Sequence, residues 1–266
     1  MTKIVLIGYG AIAKLVIDGL ARDGETAVAG ILVRADMLPT MRDALSGSVA
    51  VITSPDEIPP LEPDLVVECA GQGAVVEYGE AILAAGYDFM LVSTGALVDD
   101  DFRSSLTETA RRAGSRLLVP AAATAGLDGL AALRIGGLKS VRFTSTKPVG
   151  AWVGTPAERE FDLAGLTERT VIFTGSAREA ARRYPKNANI AATIALAGLG
   201  LDDTKVRLVA DPTASDNAHQ IEADGKSGTL RVAVTGVPTA SNPKTSASTA
   251  FGLVHAIRNR SATLVI

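Results

Sequence analysis

A glycine-rich segment near the start of the chain has the residue types and spacing of a phosphate-binding turn. Residues 8–13, Gly-Tyr-Gly-Ala-Ile-Ala, read G-x-G-x-x-A after a short apolar run and open a segment with helical spacing. The first glycine permits a tight turn, and the second lets backbone amides approach a pyrophosphate. The N-terminus of the following helix attracts negative charge. A glycine turn can also be purely structural, but this context favours a dinucleotide site with contacts from Gly8, Tyr9, Gly10, Ala11 and Ile12.

The end of the second predicted strand bears on which dinucleotide is bound. An Asp or Glu at this point bonds the ribose 2′-hydroxyl of NAD, whereas an Arg can accept the 2′-phosphate of NADP. The chain reads Leu32-Val33-Arg34-Ala35-Asp36, with no carboxylate directly after Val33. Arg34 is either a solvated loop residue or a contact for the 2′-phosphate, and Asp36 comes slightly late. The sequence predicts a cofactor that is NAD or NADP.

The chain has two histidines, and one of them is the candidate acid–base group. His255 has helical spacing beside Val254 and Arg258, which favours a helix-surface role. His219 stands in a polar segment that follows a predicted strand, where site residues are common. Because imidazole titrates near neutrality, His219 is the best candidate for the catalytic residue if the reaction needs such a group, and a residue without a catalytic role is the alternative.

Further polar residues are candidates for holding an anionic substrate. Asn187 and Asn189 precede a long apolar helix, where asparagines commonly act as helix caps. Their amides could equally hold a carboxamide or a carboxylate. Lys244 stands beside a predicted helix N-terminus, and Lys147 precedes Pro148. A solvated surface role is the competing interpretation for each lysine.

The elements that position these residues change character along the chain. Short apolar runs alternate with helical segments up to about residue 120, and the run Leu65–Glu68 is closed by Cys69-Ala70-Gly71. This alternation predicts a parallel sheet with helices on both faces, and Ala70 and Gly71 join the predicted cofactor contacts. Later runs at 139–147, 170–174, 205–210 and 229–235 alternate apolar and polar residues like half-exposed strands.

The predicted fold class is therefore α/β, with two domains. Residues 1–122 form a dinucleotide-binding Rossmann-type domain with a parallel sheet. A C-terminal segment of about 243–266, with helical spacing at 245–258, is expected to pack back onto it. Residues 123–242 are predicted to form a second α/β (α+β) domain built on a mixed or antiparallel sheet.

Composition excludes several classes of protein. Of 266 residues, Lys and Arg number 26 and Asp and Glu 29, without a dense basic patch, which argues against nucleic-acid binding. The single Cys69 cannot form an internal disulfide or a cysteine metal cluster, and no metal site is predicted. The longest apolar stretch, at 190–201, is shorter than the roughly 18–20 residues that span a bilayer. No signal-peptide core is evident, so we expect a cytoplasmic protein without a membrane partner.

The later segments together resemble the L-aspartate dehydrogenase family over nearly the whole length. The matching segments are Gly8-Tyr9-Gly10-Ala11-Ile12, Ser93-Thr94-Gly95-Ala96, Lys147-Pro148 with Ala151-Trp152, Gly175-Ser176-Ala177-Arg178-Glu179-Ala180, Tyr184-Pro185-Lys186-Asn187-Ala188-Asn189, Ala210-Asp211-Pro212, Asn217-Ala218-His219 and Asn242-Pro243-Lys244-Thr245-Ser246. The glycine motif is common to many dehydrogenases, whereas the later segments in this order are far more specific.

The resemblance implies roles for particular residues. It implies that His219 is the active-site residue and that Ala123 and Asn189 contact the nicotinamide cofactor. It also implies that the second domain, 123–242, binds substrate, carries out catalysis and forms a homodimer. One segment departs from the family pattern. Where the family tends to read Ser-Gly-Ala-Ile, this chain reads Ala121-Ala122-Ala123-Thr124.

The predicted function is NAD(P)-dependent oxidative deamination of L-aspartate to iminoaspartate, with hydrolysis to oxaloacetate and ammonia or transfer toward NAD biosynthesis. A related Rossmann dehydrogenase or reductase acting on another amino acid or imine is one alternative. A sugar-type oxidoreductase would pair a lysine with a histidine, and a non-catalytic redox sensor would bind dinucleotide without turnover.

Overall fold

The computed structural model describes residues 1–22, 24–45, 49–185, 189–239 and 242–266, with the backbone alone at 238–239 and 242–245. The chain divides into two compact units. The first unit comprises Met1–Ala122 and Thr249–Ile266, and the second comprises Ala123–Ser248. Among the helices in these ranges, none is long and apolar enough to cross a membrane.

The first unit is built on a parallel sheet in which the described strands follow the order β3-β2-β1-β4-β5-β6. The strands are β1 (Thr2–Ile7), β2 (Thr26–Leu32), β3 (Ala50–Ile52), β4 (Leu65–Glu68), β5 (Phe89–Leu91) and β6 (Leu117–Leu118). The helices are α1 (Ala11–Leu20), α2 (Leu38–Ala44), α3 (Gln72–Ala84) and α4 (Asp100–Ala113). Because the strand order reverses between β1 and β4, the carboxyl ends of these two strands flank the crevice where such sheets bind ligands.

The second unit is built on a mixed sheet in the order β11-β10-β7-β9-β8, with a short ribbon of β12 and β13. The strands are β7 (Leu138–Pro148), β8 (Thr170–Ser176), β9 (Lys205–Asp211), β10 (Asn217–Gly225), β11 (Gly228–Gly236), β12 (Pro238–Thr239) and β13 (Asn242–Ser246). The helices are α5 (Leu127–Ile135), α6 (Ala157–Glu160), α7 (Ala177–Arg183) and α8 (Asn189–Ala197). Strands β7 and β9 pair in parallel, and their other pairings are antiparallel.

The last helix, α9 (Ser248–Arg258), belongs almost entirely to the first unit. Its residues Ala250, Leu253, Val254 and Ile257 are buried in the same apolar core as β1 and α1. Gly19 on α1 permits α9 to pack closely against α1, because a Cβ at residue 19 would lie 2.8 Å from Val254 Cγ2. The predicted helix at 245–258 begins too early. Residues up to Ser246 belong to β13, because the polar segment that suggested a helix cap pairs instead with β12.

Candidate active site

The glycine turn of the first unit leaves the space that a pyrophosphate needs. Gly8 has a φ of +86°, and a Cβ on it would lie 2.7 Å from Ala70 Cβ, so no other residue fits there without strain. Gly10 is the N-cap residue of α1, and a Cβ on it would meet no atom within 4 Å. The first turn of α1 carries no acidic side chain, so its amides and dipole are available to an anion. This arrangement fits a dinucleotide.

The other predicted cofactor contacts lie around this turn. Tyr9 stands within it, with Lys14 Nζ 5.1 Å from its ring centroid, and Ala11 and Ile12 begin α1. Ala70 and Gly71 follow β4, and Gly71, with a φ of +144°, is the N-cap residue of α3. Because β1 and β4 are neighbours, these segments meet at the carboxyl edge of the sheet.

Arg34 does not stand alone at the end of β2. Its Nη2 lies 3.0 Å from Asp36 Oδ2, and both side chains are exposed, at 73% and 66%. Asp36, the carboxylate two residues after Arg34, therefore forms an ion pair with the arginine and does not take its place after Val33. An exposed pair of this kind contributes about 0–1 kcal/mol, so either partner is free to exchange for a ligand group.

Glu68 accepts a set of hydrogen bonds that the sequence does not predict. The sequence marks it only as the end of a buried strand, yet its carboxylate accepts hydrogen bonds from the segments after both β4 and β5. The signal available in the sequence was a carboxylate closing an otherwise apolar strand. A buried acid must be paired or hydrogen-bonded, and this follows from elementary electrostatics.

The second unit gathers four polar side chains on one face of its sheet. We name Ser145, Lys147, Asn217 and His219 the polar cluster. His219 on β10 lies directly opposite Ser145 on β7. Lys147 and Asn217 stand two residues from these partners, and side chains two apart in a strand share a face. All four side chains are buried.

His219 lies in the polar segment that follows β9, as the sequence predicts, and the end of that segment is the start of strand β10. It lies within β10, is 6% exposed, and stacks on Phe143 with ring centroids 5.7 Å apart. Burial, aided by the charge of Lys147, lowers its pKa from 6.5 to about 3. The expectation of a pKa near neutrality is therefore wrong, because both causes disfavour the imidazolium. Its Nδ1 has no hydrogen-bond partner among the described residues.

Lys147 is a buried cation and not a solvated one. Its side chain is 5% exposed, and Nζ lies 5.8 Å from the ring centroid of Trp152. Trp152 is fully buried, and its indole N–H donates to the carbonyl oxygen of Val209 over 3.2 Å. The aromatic face helps to stabilise the buried ammonium.

The remaining predicted site residues belong to neither the glycine turn nor the polar cluster. Ala123 is buried at the start of the second unit, and Asn189 is the half-buried first residue of α8. Asn187 and the side chain of Lys244 lie outside the described residues.

His255 is exposed on α9, with Nε2 3.2 Å from the carbonyl oxygen of Ile266, as expected for a helix-surface residue. Within the described ranges no group of three or more His, Cys, Asp or Glu side chains could hold a metal.

Two family profiles match complementary parts of the chain. Residues 128–260 match the profile described as aspartate dehydrogenase, C-terminal. Residues 8–120 match the NAD-binding domain of homoserine dehydrogenase. The boundary between the two matches lies close to the start of the second unit at Ala123, and the C-terminal match extends beyond that unit into α9 of the first unit.

Individual relatives match over nearly the full length. The L-aspartate dehydrogenase of Cupriavidus necator is 45% identical over 98% of each chain. That of Pseudomonas aeruginosa is 44% identical over 100% of each chain. Among solved structures, the aspartate dehydrogenase of Thermotoga maritima superposes with a TM-score of 0.76 at 26% identity, covering 100% of this chain and 99% of the other. With its α/β fold of an NAD-binding parallel sheet followed by a mixed sheet, the chain belongs to the L-aspartate dehydrogenase family.

Proposed function

We propose that this protein catalyses the NAD(P)-dependent oxidation of L-aspartate to iminoaspartate, which yields oxaloacetate and ammonia on hydrolysis. The observation that carries the proposal is the full-length identity with L-aspartate dehydrogenases, because the lysine–histidine pair of the polar cluster, a neutral, buried His219 on one face with the ammonium of Lys147, is also the pair expected of a sugar-type oxidoreductase. L-Aspartate brings two carboxylates and one ammonium, so a cation and a neutral proton acceptor are the complementary groups.

The first unit would hold the dinucleotide. Gly8 and Gly10 leave room for the pyrophosphate at the N-terminus of α1, and Arg34, after the end of β2, would contact a 2′-phosphate. When bound, NAD or NADP would supply the hydride acceptor for oxidation of the substrate at Cα.

The second unit would handle the substrate and its protons. Lys147 would bind a substrate carboxylate, and the family resemblance adds Ala123 and Asn189 as cofactor contacts. His219, neutral in the free protein, would accept a proton from the substrate ammonium or from the water that hydrolyses the imine. A bound dicarboxylate would raise the histidine's pKa from its low value, because it places negative charge beside the imidazole.

The direct test is a substrate panel. Purified protein is mixed with NAD or NADP and each of a set of L- and D-amino acids, and the absorbance of the reduced cofactor is followed at 340 nm. Reduction with L-aspartate alone supports the proposal. Reduction with another amino acid indicates a related dehydrogenase, and tight cofactor binding with no turnover on any substrate indicates a sensor.

Assembly, location and metabolic role belong to the same proposal. We expect a cytoplasmic homodimer formed through the second unit, as the family implies, with no nucleic-acid or membrane partner and with iminoaspartate passing to NAD biosynthesis. Light scattering coupled to gel filtration measures the mass directly, and a monomer at micromolar concentration would contradict the assembly.

A further inference from the structure

Glu68 is a fully buried carboxylate at the carboxyl edge of the first unit's sheet. It is the last residue of β4 and has 0% exposure. A carboxylate in such a place needs hydrogen bonds to replace its lost hydration. Burial raises the pKa of Glu68, and hydrogen bonds from Gly71 and Ser93 oppose that rise. The donors therefore stabilise the charged form that burial disfavours.

The hydrogen bonds come from two separate segments of the chain. Oε1 accepts from Ala70 N at 2.7 Å, Gly71 N at 2.6 Å and Ser93 Oγ at 2.9 Å. Oε2 accepts from Val92 N at 3.3 Å and Ser93 N at 3.0 Å. Residues 69–71 follow β4, and residues 92–93 follow β5, so one side chain joins the two connections that leave neighbouring strands at this edge.

The chemistry of these partners requires a carboxylate. Each of the partner groups donates a hydrogen, and an ionised Glu is an acceptor at both oxygens. A glutamine of the same shape would turn its NH₂ either toward Val92 and Ser93 or toward Ala70 and Gly71. Either orientation places donors against donors. The first leaves the buried N–H groups of Val92 and Ser93 unsatisfied, and the second removes the acceptor of the partly buried hydrogen bonds from Ala70 and Gly71.

The network extends to the glycine turn through Ala70. A Cβ on Gly8 would lie 2.7 Å from Ala70 Cβ and 3.0 Å from Ala70 Cα, so the backbone at residue 70 forms one wall of that turn. Gly71, also held by Glu68, begins α3 with a φ of +144° and open space at its Cα. Movement of this connection would change the width of the space beside Gly8.

We propose that Glu68 is a positioning residue for dinucleotide binding, which fixes the connections after β4 and β5 and, through Ala70, one wall of the glycine turn. The inference rests on the proposed function, since it assigns that function's cofactor to this edge. Glu68 itself does not touch the reacting atoms. Its loss should therefore weaken cofactor binding more than it lowers kcat at saturating cofactor.

The test compares Glu68→Gln with Leu20→Ala as the control. Leu20 is buried in the first unit at the C-terminal end of α1, and the glycine turn lies at the N-terminal end of that helix. The dissociation constant for NADH is measured by fluorescence titration, and thermal unfolding is recorded in parallel. Amide hydrogen exchange at 69–72 and 92–94 is followed in the cofactor-free protein. Glu68→Gln should weaken NADH binding by about 10- to 100-fold and accelerate exchange in both segments. Leu20→Ala should lower Tm while leaving both readouts within two-fold.

A second variant keeps the inference testable if Glu68→Gln does not fold. Ser93→Ala removes only the hydroxyl that donates to Oε1, and it should weaken NADH binding by about three- to ten-fold. Unchanged binding and exchange in the variant that folds, or an equal loss of binding in Leu20→Ala, would overturn the inference. Absence of NADH and NADPH binding by the unmodified protein would instead overturn the proposed function.

Discussion

The buried ammonium of Lys147 and the imidazole of His219 share one face of the second unit's sheet, and the lysine's charge adds to burial in lowering the histidine's pKa to about 3. The two groups therefore differ in charge at neutral pH although both are bases. In the proposed function, the cation would bind a substrate carboxylate and the neutral group beside it would accept a proton. This relationship leads to the first three predictions.

Removal of the His219 imidazole should abolish most of the turnover. We expect His219→Ala to lower kcat by roughly 10²- to 10⁴-fold, the usual size of a general acid–base contribution. Binding of reduced cofactor should barely change, because the proposed role of the side chain is toward the substrate. His255→Ala, on an exposed helix position, is the matched control and should stay within a few-fold of the unmodified enzyme. A damaging His255→Ala beside a harmless His219→Ala would refute the assignment.

Removal of the neighbouring charge should raise the pKa of His219. Lys147→Met keeps the side chain's bulk and removes its positive charge, so the imidazole should titrate above its present value of about 3 but still below 6.5, because burial remains. The chain has two histidines, so NMR titration of the imidazole resonances can be assigned with a His255→Gln variant. Lys205→Met, an exposed lysine on β9, is the control. An unshifted His219 titration in Lys147→Met would show that burial acts alone.

The lowered pKa also predicts acid sensitivity of the fold. Below about pH 6.5 the unfolded chain protonates His219 whereas the folded chain does not. Because the unfolded state then binds more protons, the free energy of unfolding decreases as the pH is lowered. The loss amounts to about 2 kcal/mol between pH 6.5 and 5 and continues toward the folded value of about 3. The free energy of unfolding in urea is compared with that of His219→Gln across this range. Parallel curves for the two proteins would contradict a neutral, buried histidine.

The first unit could be predicted largely from sequence because its signals are local. The strand, glycine turn and helix at 3–21 are contiguous, and Gly8 and Gly10 show their roles by spacing alone. Strand β10 could not be predicted, because its inward positions include Asn217 and His219 beside Ile221 and Ala223. Two polar residues on the buried face remove the alternation by which a strand is recognised.

The chemistry of the polar cluster depends on pairing between distant residues. Ser145 and His219 are opposite each other only because β7 and β10 pair in a particular register. Register follows from the packing of the whole sheet, and the pKa of His219 follows from the burial that results. The histidine's identity as a candidate could thus be inferred from sequence, whereas its environment could not.

Cofactor choice should depend on the exposed pair Arg34–Asp36. Arg34→Ala should weaken use of NADP more than NAD, by about 10-fold, since the arginine's bond to a phosphate is partly screened by solvent. Asp36→Ala should act in the opposite direction, because it releases the guanidinium and removes a charge that repels phosphate. The measurement is kcat/KM for both cofactors in the three proteins at fixed ionic strength. Equal losses for NAD and NADP in Arg34→Ala would mean that the arginine does not contact the 2′ position.

The departure from the family pattern at 121–124 should lower the free energy of unfolding through the backbone conformation of Ala122. Ala122, where the family tends to have glycine, has a φ of +51°, a left-handed conformation that strains a residue with a Cβ. Ala122→Gly should therefore raise the free energy of unfolding by about 0.5–1 kcal/mol, with relief of strain exceeding the added chain entropy. The exposed Ala121 does not have a positive φ, so Ala121→Gly is the matched control and should lower stability by a similar amount. Urea unfolding of both variants decides the matter, since equal destabilisation would show that residue 122 carries no strain.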